Sequence, residues 1–91
     1  MGYDRKYGKV TTEHGDIPDD EPVIVFRGRD KMVPAMIDQY LYLCRAGGSP
    51  QRHLDLVTES QRQIVAWQET HPDGTRTPDS ERSRAWMGDQ E

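Results

Sequence analysis

The spacing of apolar positions changes character along the chain. Val23-Ile24-Val25-Phe26 is apolar at every position, with Val23 and Val25 directed to one side of an extended backbone and Ile24 and Phe26 to the other. Bounded by Pro22 and Gly28, this run reads as the clearest strand, over Pro22 to Arg27, and one that wants cover on both faces. From Met32 the apolar period lengthens to about 3.6 residues. Val33, Met36, Ile37, Tyr40, Leu41 and Cys44 then fall on one helical stripe, opposite Asp38, Gln39 and Arg45. Asp30 is the expected N-cap. Pro34, lacking an N–H, would break the first intrahelical bond, so a 3₁₀ turn over Lys31 to Val33 is expected before regular helix begins. The helix stops at Gly47-Gly48, where a glycine can take the left-handed position.

Ser49-Pro50 is a strong helix start, a serine N-cap followed by proline in the first turn. The second stripe is Leu54, Val57, Gln61, Ile64, Val65 and Gln68, flanked by Leu56 and Trp67 and interrupted by the polar run Glu59 to Gln63. Pro72 ends this helix by Glu69 or Thr70. Two helices joined by so short a loop are antiparallel neighbours. Upstream, Lys9 to His14 is β-leaning through Val10, Thr11 and Thr12, and the turn residues Gly15 to Asp20 follow it.

The expected fold class is α+β: a short antiparallel β-hairpin, or a single strand, followed by an antiparallel two-helix hairpin. In the hairpin form, Lys9–His14 pairs with Val23–Arg27. Residues 1–8 are expected to be a flexible arm and 9–71 a single domain. Residues 72–91 turn to Asp, Gly, Thr, Pro, Ser, Arg and Glu, and are expected to be a disordered tail. Within it Trp86-Met87 is either a short docking motif or plain tail.

Composition narrows the function classes. The chain has 91 residues, of which 33% are hydrophobic and 31% charged, so the core is small and self-association is an economical way to cover apolar surface. A homo-oligomer is expected, by strand addition or helix packing. The net charge of −4 counts against phosphate-backbone contacts and against an anionic membrane surface. Val23 to Phe26, the longest apolar run, is too short to span a bilayer. With a single cysteine and no apolar leader, the chain reads as cytoplasmic.

Most enzyme chemistries lack their parts. His14, His53 and His71 have no metal-ligand spacing, and neither a metal nor a cofactor is expected. Cys44 sits on an apolar stripe, where a thiol behaves as a small hydrophobe. No phosphate loop, dinucleotide fingerprint or nucleophile elbow occurs. Asp19-Asp20-Glu21 lies in a turn between prolines and reads as solvated loop acids. A non-catalytic protein is expected.

Arg27-Gly-Arg-Asp-Lys31 is the one candidate ligand site. Arg27 and Arg29 share a side in an extended strand, Gly28 permits close approach, and a helix start follows, whose free N–H groups favour anions. Arg27, Arg29, Asp30 and Lys31 are therefore the candidate anion-binding residues. The plainer alternative is that the arginines pair with Asp30 or with the Asp19–Glu21 loop and lock the turn. A helix-turn-helix reading, with Gln51, Arg52 and His53 on DNA, is opposed by Asp55 and Glu59 on the same face.

The stretch Asp16 to Trp67, through DIPDDEPVIVFRGRD, LCRAGGSP and a Trp-Gln pair near the end of the second helix, resembles a group of small uncharacterised proteins of actinobacterial tailed phages and prophages. The resemblance implies a viral accessory protein in the host cytoplasm and supplies no catalytic residue. Such a protein acts by binding. The leading expectation is a self-associating module that engages a host or phage protein. The alternatives are a protein that sequesters a nucleotide-type anion at the strand–helix junction, and a DNA-binding protein.

Overall fold

A computed structural model gives the fold and describes residues 1–78. Its order is β1 (Gly2–Asp4), β2 (Gly8–Val10), β3 (Pro22–Val23), α1 (Val33–Ala46) and α2 (Gln51–Thr70), followed by a single 3₁₀ turn over Pro72–Gly74. The class is α+β, with a three-stranded sheet in the order β2-β1-β3.

The sheet differs from the expected hairpin. Lys9–His14 and Val23–Arg27 do not pair with each other; both regions flank β1, inside the segment expected to be a loose arm. β1 pairs antiparallel with β2, Tyr3 opposite Lys9, and parallel with β3, Tyr3 opposite Pro22. Gly2 makes this close approach possible, since a Cβ there would lie 2.7 Å from a methyl of Val23. Pro22, with no N–H to offer, occupies an edge strand. The ladder stops after Asp4 because the carboxylate of that residue takes over: its Oδ2 accepts the Val25 N–H at 2.6 Å. Val25 to Arg27 therefore runs on outside the ladder, and the strand is shorter than its composition implies.

The helices follow the apolar spacing closely. Val33, Ile37 and Leu41 of α1 are buried against Leu54 of α2, and Met36, Cys44, Val57 and Ile64 pack around them. α1 begins one residue before Pro34, which sits in the first turn, where its missing N–H costs nothing. Asp30 does not cap the helix, whose N-cap is Met32; its Oδ1 instead accepts the Met32 N–H at 2.8 Å. α1 ends in a Schellman motif. Gly48 holds φ +82°, its N–H bonds Arg45 O at 3.2 Å, and the Ser49 N–H bonds Cys44 O at 2.9 Å. α2 starts one residue later than expected, with Pro50 as N-cap. The polar residues on its stripe reach across the fold: Gln61 Nε2 donates to the Pro34 carbonyl at 2.8 Å.

The sheet is not laid on the helical hairpin as expected; each packs mainly on itself. What joins them is the segment from Arg27 to Met32 and the chain beyond α2. Residues 72–78, expected to belong to a disordered tail, fold back onto this segment. The Arg76 N–H donates to Arg29 O at 2.9 Å and the Lys31 N–H to Arg76 O at 2.8 Å, a parallel bridge between Asp30 and Arg76. The rest of the expected tail, with Trp86-Met87, lies outside the described residues. No helix among the described residues is long and apolar enough to cross a membrane.

Candidate functional site

The site is built where the sheet and the hairpin meet. Arg27 to Asp30 forms a turn closed by the Asp30 N–H on Arg27 O at 3.0 Å, in place of the straight extension expected. Gln68, in the last turn of α2, fixes this turn from below. Its Nε2 donates to the carbonyls of Gly28 and Asp30, both at 2.9 Å. The turn is thus held by α2 on one side and by the Arg76 bridge on the other.

On the sheet side of the turn lies a cavity of about 300 Å³. Its cationic lining is Arg5, Lys6, Arg27, Arg29 and Arg76. Against these five charges stand two carboxylates, Asp4 and Asp30, which leaves a formal charge of +3 on the lining of a chain whose net charge is −4. The apolar wall comes from Ile24, Val25 and Phe26, with Tyr7 beside them. Ile24 is 75% exposed and Phe26 48% exposed. The second face of the expected strand is therefore not covered by protein, and its side chains line the cavity instead.

Local chemistry explains how the cations gather. The Asp4 Oδ1 accepts the N–H groups of Lys6 at 2.8 Å and Tyr7 at 2.7 Å, which bends the chain after β1 and presents Arg5, Lys6 and Tyr7 to the cavity. These bonds, with the Tyr7 N–H first and the Val25 N–H next, hold the Asp4 carboxyl below its ordinary value. Lys6 Nζ and Arg27 Cζ lie 5.7 and 6.0 Å from the centroid of the Tyr7 ring, within reach of its electron-rich face. Asp4 and Asp30 spend carboxylate lone pairs on backbone N–H groups, so part of their acceptor capacity is turned away from the cations.

Of the residues singled out in the sequence, Arg27, Arg29 and Asp30 line this cavity, while Lys31 is exposed and does not. Asp19 of the acidic loop faces the Met1 ammonium at 3.3 Å. Sequence reasoning missed Arg5, Lys6, Tyr7 and Arg76. Arg5, Lys6 and Tyr7 were legible only as mixed charge in a supposed arm, and Arg76 carried no signal at all. Among the described residues, no group of three or more metal-ligating side chains comes together. Cys44 is half-buried beside the core, and its neighbourhood raises the Tyr40 hydroxyl above its ordinary value. His53 meets the Tyr40 hydroxyl at 3.1 Å, and His71 stacks on Trp67 with ring centroids 4.0 Å apart.

No family model, curated protein or solved structure matches this chain.

Proposed function

We propose that this protein is a non-catalytic binding module whose cavity takes a small anionic ligand of nucleotide type. The observation that carries the reading is the convergence of five cationic side chains from three separate parts of the chain on one apolar-walled cavity of about 300 Å³. A volume at the lower end of the range for small-molecule pockets favours a small ligand over a folded partner. The mixture of walls favours an amphipathic one, with its charge on the arginines and its body against Ile24 and Phe26. Planar guanidinium groups suit phosphate and carboxylate oxygens, which they meet through two parallel N–H donors. The sequestering role, an alternative to the leading expectation from the sequence, fits this site, as does a small accessory protein of phage type acting in the host cytoplasm.

Isothermal titration of the full chain with nucleoside monophosphates and inorganic phosphate tests the reading. Binding that weakens with added salt and disappears in the Arg27→Ala/Arg29→Ala variant is expected. A flat response to every anion discards it.

A second reading, the self-associating module, is favoured by a different observation. Tyr42, Leu43 and Leu56, near the Gly47–Pro50 loop, are 66%, 63% and 64% exposed. Large apolar side chains held in the open beside so small a core favour burial against another copy or a host or phage protein.

A further inference from the structure

The turn that forms one wall of the cavity has a second concavity on its other side. About 390 Å³ in volume, it lies over α2 and is bounded by Ser60, Ile64 and Trp67 together with Arg27, Gly28 and Arg29. The two hollows share Arg27 and Arg29. One flank therefore offers Phe26, Tyr7 and Ile24, the other offers Trp67 and Ile64, and Arg27 and Arg29 border both. Trp67 is 39% exposed, with one face against the His71 imidazole.

Between the two arginines, Gly28 keeps the barrier low. A Cβ built on it would meet nothing within 4 Å, and its φ lies outside the left-handed region. Glycine is thus not required there by backbone strain or by a close protein neighbour. What its missing side chain provides is open space above the turn.

From this arrangement we infer that the two hollows are halves of one bipartite site, and that the ligand is a free dinucleotide. Its linking phosphate sits at Arg27 and Arg29, and one base lies in each hollow. The inference rests on the anion-binding reading above and specifies the ligand. A dinucleotide has the alternation the site shows, ring, anion, ring. Bases stack on aromatic side chains whatever their identity, and guanidinium groups take the phosphate between them. A longer single strand is disfavoured, because the negative charge of this chain is carried outside the site and would repel the flanking phosphates.

Titration calorimetry on the full chain compares adenosine monophosphate, the dinucleoside monophosphate of adenosine, and a longer adenylate strand. The dinucleotide is expected to bind about tenfold or more tightly than the mononucleotide, although it carries less charge, because a second base is stacked. Gly28→Leu is expected to remove that advantage, bringing the dinucleotide down to the affinity of the mononucleotide for the same variant. In a Trp86→Phe background, where Trp67 is the remaining tryptophan, the dinucleotide is expected to change the emission and inorganic phosphate is not. This measurement stands if Gly28→Leu fails to fold. Mononucleotide binding that depends on the arginines, with no gain for the dinucleotide or no response of Trp67, overturns the bipartite site and leaves the anion-binding reading in place. Tighter binding by the longer strand overturns the free dinucleotide as the ligand. No binding of any of the three overturns both readings.

Discussion

At the scale of single residues, Asp4 organises more of the site than any cation does. One buried carboxylate, 4% exposed, accepts three backbone N–H groups and so fixes both the bend after β1 and the course of Val25. Because its native value is depressed, the stabilisation it brings is complete above the ordinary carboxylate value and is lost as the pH falls through the native one. Asp4→Asn keeps one oxygen acceptor and turns the other into a donor. Its expected outcome is a melting temperature several degrees lower at neutral pH, with the loss narrowing as the pH drops through the acid range. Thermal melts of both proteins between neutral and acid pH check this. A constant gap across that range would show that the charge is not what matters.

At the scale of elements, the helices were legible and the sheet was not, for a physical reason. Val33, Ile37 and Leu41 recur every four residues, and that spacing is sufficient to select a helix face. β1 is Gly2-Tyr3-Asp4, in which glycine and aspartate are poor strand formers, and it is held by partners far along the chain. Nothing local marks it. The strand expected over Pro22 to Arg27 misled in the opposite sense: its apolar run is real, but Asp4 intercepts Val25 and ends the ladder. The same division runs through the site. Arg27 and Arg29 were found because they stand two residues apart before a helix start, although a turn and not the expected extended strand holds them, whereas Arg5, Lys6 and Arg76 arrive through tertiary contacts. Gln61 and Gln68 were placed on the α2 stripe as members of it, and their amides turn out to bond α1 and the Arg27–Asp30 turn. Gln68→Leu keeps the bulk and removes both bonds to the turn. It is expected to destabilise the fold by about 1–3 kcal/mol and to weaken anion binding, with α2 intact by circular dichroism. Unchanged ligand affinity would separate the turn from the site.

At the scale of the whole molecule, two small assemblies stand side by side, and the one thin core belongs to the helical hairpin. Only Val33, Ile37, Leu41 and Leu54 are buried apolar residues among those described, while Tyr42, Leu43 and Leu56 stay open. Light scattering at tens of micromolar is expected to show more than a monomer, and Leu43→Lys with Leu56→Lys is expected to shift the population toward one. A monomer in the unaltered protein would sink the second reading without touching the cavity, since none of these three residues lines it.

The bridge between Asp30 and Arg76 bears on how the molecule comes together. It closes a loop that contains both helices, and loop closure of this length is entropically slow to complete compared with a helical hairpin whose contacts are local. The helices form from neighbours in sequence; the clasp has to wait for them. A chain with its helices made and its clasp open would look nearly folded by its backbone signal and would lack the Arg76 side of the cavity. If the cavity binds as proposed, competence to bind reports that folding has finished.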